Sequence, residues 1–278
     1  MRIEITTDPV QFRSRTEAFL VRDPLRHTVI TTGTANAAGG LDGSNEPSRF
    51  LSVHAEDDTV LGVAMRSAGH DLYLGDIAEG CVDTVADALA EVVPDAGGVE
   101  GAPEHATRFS DRWSALLGVG YRHSYTSRLY RLGTLRVPDA AGSPRRAVES
   151  DTELCLAWAE AMRVELDMGP NGWTATQIGK RIAAGRWWLW EHEGRPVSLA
   201  AHQVPGYGWS RIGPVYTPPA DRGHGYASIL TAHVAHTLRT KGVNVCLFAD
   251  PADPTPNKIY QAIGFEPVRE FVRYAFTR

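Results

Sequence analysis

A β-strand that ends at two prolines and runs into a glycine-rich helix start is the feature that most constrains the fold. Residues 209–217 are predicted as a strand, and Pro218-Pro219 end it because proline cannot donate a hydrogen bond to a sheet. The segment RGHGYA then opens an amphipathic helix over residues 226–240. Its glycines let several N–H groups point at one spot, and the helix N-terminus adds about half a positive charge. The segment therefore predicts an anion site suited to phosphate or pyrophosphate.

Two common phosphate-binding motifs do not match this segment. The ATP-binding P-loop needs Gly-Lys-Ser/Thr, which does not follow here, and the dinucleotide motif GxGxxG needs a third glycine that is missing. The spacing that is present is Arg-x-x-Gly-x-Ala, at Arg222, Gly225 and Ala227. An ordinary glycine-containing helix entry is the alternative interpretation of the same residues.

Helices and strands alternate through the second half of the chain. The predicted order is helix 151–166, loop 168–173, a second helix ending at 184, hairpin 186–202 with its turn at Glu193-Gly194, turn 205–208, strand 209–217, helix 226–240, strand 243–249, helix 255–263 and strand 271–276. Gly264 ends the last helix as a C-terminal cap residue. Strands interleaved with helices predict an α/β fold.

The first half repeats part of this order. Residues 49–66 and 186–202 each read as strand, polar turn and strand, and a strand (71–74 or 209–217) and a helix (82–92 or 226–240) follow. This pattern indicates an approximate duplication, with chance similarity of a common arrangement as the alternative. Residues 33–47 and 137–144 are predicted loops because they are rich in glycine, proline and small residues. The second loop predicts two domains, residues 1–137 and 145–278.

Composition and charge exclude several classes of function. The 278-residue chain has 28 basic and 33 acidic residues, a net charge of −5, so nucleic acid is not an expected partner. Cys81, Cys155 and Cys246 lie far apart, which argues against a disulfide framework and a cysteine zinc site, and no metal is expected. No stretch approaches the ~18 consecutive apolar residues of a membrane span, and no signal peptide is recognised. A cytoplasmic protein without a membrane partner is therefore expected.

The spacing at Arg222, Gly225 and Ala227 matches the pyrophosphate-binding motif Gln/Arg-x-x-Gly-x-Gly/Ala of the GNAT (GCN5-related) N-acetyltransferase superfamily. The similarity continues after strand 243–249, where members commonly show Asn-x-x-Ser/Ala-x-x-Leu-Tyr-x-x-x-Gly-Phe. The corresponding residues here are Asp253, Pro256, Ile259, Tyr260, Gly264 and Phe265. Asp253 is a departure, because it stands where many members have Asn. The chain thus resembles the tandem type of GNAT protein.

This resemblance implies an α/β fold of two GNAT-like domains, each a mixed, mostly antiparallel twisted sheet flanked by helices. In the C-terminal domain the parallel strands 209–217 and 243–249 would splay apart to bind CoA. The N-terminal domain looks like a degenerate half, since it lacks the motif and has the acidic residue Asp76 where the phosphate cradle would be. It is expected not to bind CoA.

The resemblance also implies which residues hold acetyl-CoA as co-substrate. Pantetheine would pair with the backbone near Val215 and Thr217, and the Val215 N–H would polarise the thioester carbonyl. The pyrophosphate would lie on the amides of residues 223–227, with Arg222 adding charge. The expected cofactor-binding residues are Val215, Tyr216, Thr217, Arg222, Gly223, His224, Gly225, Tyr226, Ala227, Ser228, Asn257 and Tyr260.

Tyr260 is the candidate general acid implied by the resemblance, with a core tyrosine beside Phe265 as the alternative. It would protonate or hydrogen-bond the departing CoA thiolate. The acceptor is expected to be an amine, which is mostly protonated at neutral pH, so a base or a water chain must take its proton. Many members have a Glu on the strand before the phosphate loop, but this strand has no carboxylate. Candidate bases are His202, Glu165, Glu191 and His192, and ordered water is equally open.

The implied activity is transfer of an acetyl group to a primary amine of a small-molecule or amino-acid-like acceptor, by direct attack in a ternary complex. The missing strand carboxylate keeps a non-catalytic acyl-CoA sensor or scaffold open as an alternative. A transferase for a longer acyl-CoA is a third interpretation. A homodimer is compatible with each of these.

Overall fold

The computed structural model describes residues 1–41, 46–166 and 172–277. The chain divides into two compact units. The first unit contains residues 1–128 together with 269–278, and the second contains residues 129–268. Each unit is an α/β structure with its own hydrophobic core.

The first unit is built from strands and helices that precede residue 129, completed by the end of the chain. Its elements are β1 (Arg2–Thr6), α1 (Pro9–Leu20), α2 (Thr28–Ala38), β2 (Arg49–His54), β3 (Val60–Arg66), β4 (Leu72–Ile77), α3 (Val82–Val92), β5 (Gly98–Gly101), α4 (Pro103–Leu117) and most of β6 (Gly120–Leu132). Strands β1 to β5 lie in chain order, and the C-terminal part of β12 (Phe265–Thr277) pairs antiparallel with β5. The β4–β5 pair is parallel, and α3 connects its two strands.

The core of the first unit lies between this sheet and the helices α3 and α4. Val85 and Leu89 on α3 and Phe109 and Trp113 on α4 are fully buried against Leu74 of β4. These positions recur every three to four residues on each helix, which is the spacing of a single buried face. The Trp113 ring also stacks on Phe276, with ring centroids 5.2 Å apart. The last strand is therefore part of this core.

The second unit carries the segment that the sequence singles out. Its elements are β7 (Ser143–Arg146), α5 (Thr152–Glu165), α6 (Ala175–Ala183), β8 (Trp187–His192), β9 (Arg195–His202), β10 (Trp209–Tyr216), α7 (Tyr226–Arg239), β11 (Asn244–Ala249) and α8 (Pro254–Ile263). The strand order is β7-β8-β9-β10-β11, followed by β6. The β10–β11 pair is parallel, whereas β7–β8, β8–β9 and β9–β10 are antiparallel.

Helices cover both faces of the strands in the second unit. Leu230, Val234 and Leu238 of α7 pack on one face, against the side chains of Val197 and Ala200. On the opposite face, α5 and α6 pack against Trp187, Leu189 and Leu199, through Cys155, Ile178 and Ile182. Along β8, Trp188 and Trp190 belong to the core under α7, whereas Trp187 and Leu189 belong to the core under α5 and α6, as the two-residue period of a strand requires.

The two units repeat one arrangement, as the sequence predicts. A hairpin (β2–β3 or β8–β9) is followed by a parallel strand pair (β4–β5 or β10–β11) whose strands are joined by one helix (α3 or α7). The predicted fold class, an α/β structure with mixed, mostly antiparallel sheets, is confirmed. Strand Trp209–Tyr216 and helix Tyr226–Arg239 begin at the predicted residues.

Two predictions differ from the structure. The predicted loop 33–47 is wrong from residue 33 to 38, because α2 continues to Ala38 and buries Ile30, Thr32 and Thr34. The Thr34 hydroxyl donates to the Ile30 carbonyl oxygen at 2.8 Å, which satisfies a polar group within the helix. Residues 42–45 of that loop, and 168–171 of the predicted loop 168–173, lie outside the described residues.

The boundaries of the two units also differ from those of the predicted domains, residues 1–137 and 145–278. Residues 129–137 belong to the second unit, and residues 269–278 belong to the first. The cause is strand pairing, because Val272 to Ala275 are in register with Gly101 to Gly98 of β5. The predicted strand 271–276 is part of the longer β12, which begins at Phe265.

Gly264 is a position where the turn after α8 requires glycine. Its φ is +109°, and a Cβ at this position would overlap the carbonyl oxygen of Thr134. We expect Gly264→Ala to lower the free energy of unfolding by at least about 2 kcal/mol, measured by urea denaturation. Gly179→Ala in α6 is the matched control, because a Cβ there enters open space, and it should stabilise by about 0.5–1 kcal/mol. Equal urea midpoints for the two variants would contradict this reading of the turn.

Candidate functional site

The parallel strands β10 and β11 separate toward their carboxyl ends. Their pairing extends over Trp209↔Asn244, Ser210↔Val245 and Arg211↔Cys246. Beyond it, β10 stays paired with β9, through Val215↔Ala200 and Tyr216↔Leu199. The register shifts between Ile212 and Val215, where the Gly213–Pro214 peptide bond is cis. The gap therefore opens along the edge of β10 that faces β11.

The backbone of Val215 faces this gap. The Tyr216 carbonyl oxygen points toward β9, because it accepts a hydrogen bond from the Ser198 hydroxyl at 3.2 Å. Carbonyl and amide groups of successive residues in a strand point to opposite edges. The N–H and C=O of Val215 therefore point away from β9, toward the side on which β11 has separated. An extended ligand chain could pair with them there.

The loop after β10 turns its amides toward one place at the start of α7. Gly223 and Gly225 have φ of 85° and 77°, a conformation that glycine adopts without strain. Gly225 is the N-cap of α7, and no side chain of the described residues caps this helix. The amides of Tyr226, Ala227 and Ser228 have no acceptor within the helix, as in every first helical turn. This geometry provides several amide donors and the positive end of the helix dipole.

An ion pair between Asp221 and Arg195 fixes the loop that follows β10. Asp221 is largely buried, and its carboxylate accepts hydrogen bonds from Arg195 of β9 at 2.6 and 3.1 Å. The hydrogen bonds from Arg195 hold the pKa of the Asp221 carboxyl below its usual value, so it is ionised at neutral pH. The rings of His224 and His192 lie 5.5 and 5.6 Å from the Tyr226 ring. Ring contacts of Tyr226 with these two histidines thus support the loop.

Arg222 reaches from the loop to the end of α5. Its guanidinium donates to the Glu165 carboxylate at 2.6 Å and to the Thr217 carbonyl oxygen at 2.9 Å. The Tyr216 hydroxyl donates to the other oxygen of Glu165 at 2.9 Å. These contacts hold the pKa of Glu165 below its usual value, with Arg222 as the largest cause. A sequence separation of 57 residues hides this pair from any local pattern.

Tyr260 lies on α8 and packs against the α7 core. Its ring meets Phe265 edge-on at 6.0 Å, and the side chain is half-buried. Burial, together with the charge of Asp253, raises the Tyr260 pKa to about 12. The hydroxyl is therefore protonated at neutral pH and can donate a hydrogen bond. Asp253 itself caps α8 by accepting from the Thr255 amide at 3.0 Å.

Asn257 has an internal role that the sequence does not reveal. Its amide nitrogen donates to the carbonyl oxygens of Asp250 at 2.8 Å and Asp253 at 2.6 Å. Its amide oxygen accepts from the buried hydroxyl of Tyr130 at 2.6 Å. Asn257 thus ties the turn after β11 to α8 and to β6, one helical turn before Tyr260. Tyr130 was not expected at this site, because it lies 127 residues earlier in the chain.

The candidate bases are not brought together. Glu165 lies beside Tyr216 on the α5 face of the sheet. His202 lies opposite Ile212, two residues after Ala200, and so shares the α7 face with that residue. Burial lowers the His202 pKa, and one ring nitrogen contacts the Gln203 carbonyl oxygen at 3.0 Å. Glu191 is paired with Arg145 at 2.7 Å.

The first unit has a different environment at the corresponding strand end. Asp76 near the end of β4 is ion-paired with Arg26 at 2.7 Å. Its amide donates to the Nε2 atom of His27 at 3.2 Å, so that nitrogen is the unprotonated one. The Asp76 amide therefore already has a hydrogen-bond partner, and the Asp76 side chain is acidic.

Comparisons with known proteins agree with this architecture. Residues 191–274 match the family described as FR47-like protein. A GNAT-family acetyltransferase from Colwellia psychrerythraea superposes with a TM-score of 0.59 at 11% identity, covering 100% of both chains. A GCN5-related N-acetyltransferase from Kribbella flavida superposes with a TM-score of 0.59 at 19% identity, covering 88% of this chain and 95% of that one. A tandem GNAT protein from the clavulanic acid biosynthesis pathway gives 0.59 at 11% identity, covering 99% and 98%. No curated protein matches the chain.

Two further properties concern the described residues alone. No helix within residues 1–41, 46–166 and 172–277 is both long and apolar enough to cross a membrane. Within the same ranges, no group of three or more His, Cys, Asp or Glu side chains is placed to hold a metal ion. The chain therefore has the fold of the GNAT acetyltransferases, as the sequence resemblance implies, and residues 191–274 in its second half are similar to the FR47-like family.

Proposed function

We propose that the protein is an acyl-CoA-dependent N-acetyltransferase whose donor site lies between β10 and β11. The observation that carries this proposal is the combination of an unpaired strand edge with a cluster of amide donors at its end. Pantetheine is a chain of amides that can pair with an open strand edge, and pyrophosphate is the anion that a helix N-terminus attracts. The strand edge and the amide cluster follow each other as the pantetheine and the pyrophosphate do in one CoA molecule.

The donor would extend from the loop into the gap. Its pyrophosphate would accept hydrogen bonds from the amides of residues 223–228, with Arg222 supplying a positive charge. The Val215 N–H, which faces the gap, would donate to the thioester carbonyl oxygen. That oxygen gains negative charge as the tetrahedral intermediate forms, so a fixed N–H donor stabilises the transition state more than the ground state.

The acceptor would be a primary amine that attacks the thioester carbonyl carbon. The amine must lose a proton to become a nucleophile, and Glu165 is the candidate base nearest to the phosphate loop. In the structure its carboxylate is bound to Arg222 and Tyr216, which makes it a weak base. If the pyrophosphate draws Arg222 toward the loop, the pKa of Glu165 rises toward its usual value. Water relay to solvent and the other candidates stay open.

Tyr260 would act on the leaving group. When the C–S bond breaks, the electron pair stays on sulfur as a thiolate, whose conjugate acid has a pKa of about 8.5 by analogy with cysteine. Tyr260, with a pKa of about 12, holds its proton more tightly than this thiol does. Its role would therefore be to donate a hydrogen bond to the thiolate, which then takes its proton from solvent.

Two other functions remain as alternatives. A non-catalytic acyl-CoA sensor would bind the donor equally well but would not release the thiol, and the absence of a carboxylate on β10 is what favours it. A transferase for a longer acyl chain would need a wider gap near Val215. Release of CoA thiol, measured with acetyl-, propionyl- and longer acyl-CoA and a panel of primary amines, separates the three. Calorimetric binding without thiol release from any amine would favour the sensor.

Tyr260→Phe is the direct test of the leaving-group role. We expect turnover to fall by about 10²-fold, while the Kd for acetyl-CoA changes little, because the hydroxyl acts after the donor is bound. Thiol release gives turnover, and titration calorimetry gives the Kd. Tyr121→Phe is the control, because that hydroxyl bonds to Asp111 in the first unit. Wild-type turnover in Tyr260→Phe would remove this assignment.

Glu165→Gln tests the competition for Arg222. Since Glu165 and pyrophosphate would use the same guanidinium, the variant should bind CoA about two- to fivefold more tightly, the range expected of a half-exposed ion pair. The gain should disappear in an Arg222→Gln background, which keeps any through-space charge effect but removes the competed group. Glu160→Gln is the control on the same helix, because Glu160 pairs with Arg163. An equal gain in both backgrounds would contradict the competition.

A further inference from the structure

A guanidinium group occupies a well-formed binding site for a cation at the end of β10. The Arg222 side chain donates to the Glu165 carboxylate at 2.6 Å and to the Thr217 carbonyl oxygen at 2.9 Å. Its guanidinium carbon also lies 5.7 Å from the centroid of the Tyr216 ring, within the range of a cation–π contact. A carboxylate, a carbonyl oxygen and an aromatic ring thus contact one positive charge, and these three groups together form a cation site.

Contacts that do not involve Arg222 hold the cation site together. The Tyr216 hydroxyl donates to the Glu165 carboxylate at 2.9 Å, and Tyr216 keeps only 6% of its accessible surface. The Trp158 ring lies 6.4 Å from the Tyr216 ring and belongs to α5, as Glu165 does. Residues seven positions apart lie on the same face of a helix, so Trp158 and Glu165 both face the end of β10. The carboxylate and the aromatic ring therefore stay beside each other when Arg222 moves.

Arg222 is also the charged side chain that the proposed donor needs. Its pair with Glu165 is half-exposed, since 49% of the Arg222 side chain and 39% of the Glu165 side chain are accessible, and water weakens the attraction between them. A pyrophosphate carries more negative charge than a carboxylate and can accept two hydrogen bonds from one guanidinium. A pyrophosphate that binds Arg222 therefore empties the cation site.

We propose that the cation site at Glu165, Thr217 and Tyr216 binds a second positive charge of the acceptor. Arg222 occupies the site until the donor draws it away, so the inference rests on the proposed donor site. The acceptor is then a primary amine that carries a guanidinium or a second ammonium group at the other end of a short chain. A guanidinium fits best, because the occupant in the structure is one and meets all three groups at once.

The charge bound in the cation site is not the amine that reacts. A carboxylate beside an ammonium favours its protonated form, and a protonated amine has no lone pair with which to attack. The reacting amine lies instead at the thioester, which the proposed function places beside Val215, one residue before Tyr216. A strand rises about 3.3 Å per residue, so a short alkyl chain can join the two groups. Glu165 then positions the acceptor, and the reacting amine loses its proton to a water relay.

Binding of agmatine, measured by titration calorimetry, tests the cation site without any turnover. Agmatine is a primary amine with a guanidinium at the other end of an alkyl chain. Wild-type protein saturated with CoA should bind agmatine about tenfold more tightly than wild-type protein without CoA, because Arg222 has then left the site. Arg222→Gln should bind agmatine with that higher affinity even without CoA. The variant changes a half-exposed side chain and should fold.

Matched ligands and variants separate the cation site from a general attraction of cations. Butylamine, which lacks the second charge, should not gain affinity from CoA or from Arg222→Gln. In the Arg222→Gln background, Glu165→Gln should lose the gain in agmatine affinity, whereas Glu160→Gln should keep it, because Glu160 pairs with Arg163 on the same helix. Putrescine, a diamine, forms a second arm. A gain with either dication supports the site, and the larger gain assigns its preferred group.

The outcomes that overturn the cation site differ from those that overturn the donor site. Agmatine and putrescine affinities that are the same for wild type and Arg222→Gln would overturn the cation site, whatever CoA does. Release of CoA thiol with butylamine as readily as with agmatine would also overturn it and would leave the acetyltransferase in place. A protein that binds no CoA would overturn the donor site, and the comparison of wild type with Arg222→Gln would still decide the cation site.

Discussion

Among the described residues, the carboxyl end of β10 is paired with β9 and its pairing with β11 ends at Arg211↔Cys246, and the candidate site depends on this one-sided pairing. A strand in the middle of a sheet normally satisfies both of its edges, so the backbone groups of Val215 would be occupied if β11 continued beside it. The bulge between Ile212 and Val215 shifts the register with β9, and β11 separates after Cys246. An unpaired edge inside a sheet is unfavourable unless something else pairs with it. The separation therefore points to a ligand with its own amides.

Charge at the end of β10 is balanced by side chains from distant parts of the second unit. Arg195 neutralises Asp221 within the loop, and Glu165 neutralises Arg222 beside it. Arg222 therefore has a half-exposed partner, Glu165, that can be exchanged for a stronger anion. Asp221 is more deeply buried and forms two hydrogen bonds to Arg195, so it serves to hold the loop in place. The buried Arg195–Asp221 pair thus holds the loop in place, whereas the half-exposed Arg222–Glu165 pair can exchange its anion.

Local patterns explain what the sequence could predict. The strand Trp209–Tyr216, the glycine-rich loop, α7 and the αL turn at Gly264 all follow from residues within one short segment. The helix α2 was missed because its Thr, Gly and Ala residues have weak periodicity, and packing of Ile30 decides its conformation. The exchange of the last strand was missed because β12 and β5 are 171 residues apart at the Val272↔Gly101 pair (272 − 101), and no local signal specifies that pairing.

The same limit applies to the site. Glycine spacing located the amide donors, but the partners of Arg222 and Asn257 come from α5 and β6, far away in the chain. The sequence also does not show whether a hydrogen-bonding side chain contacts a cofactor or stabilises the protein itself. Asn257 matched a place near the cofactor in the sequence pattern, yet all its side-chain hydrogen bonds in the described structure hold the turn before Tyr260.

Comparison of the two halves separates what the fold needs from what the site needs. The first unit keeps the hairpin, the parallel pair and the connecting helix, and its β4–β5 pairing is also short, at Leu72↔Val99 and Tyr73↔Glu100. What differs is the strand end, where Asp76 binds Arg26 and its amide binds His27. The Asp76 amide already has a hydrogen-bond partner, and the Asp76 carboxylate would repel a phosphate that approached it. Short parallel pairing is therefore a property of the repeated fold, whereas the proposed anion binding would depend on the few residues that follow the strand.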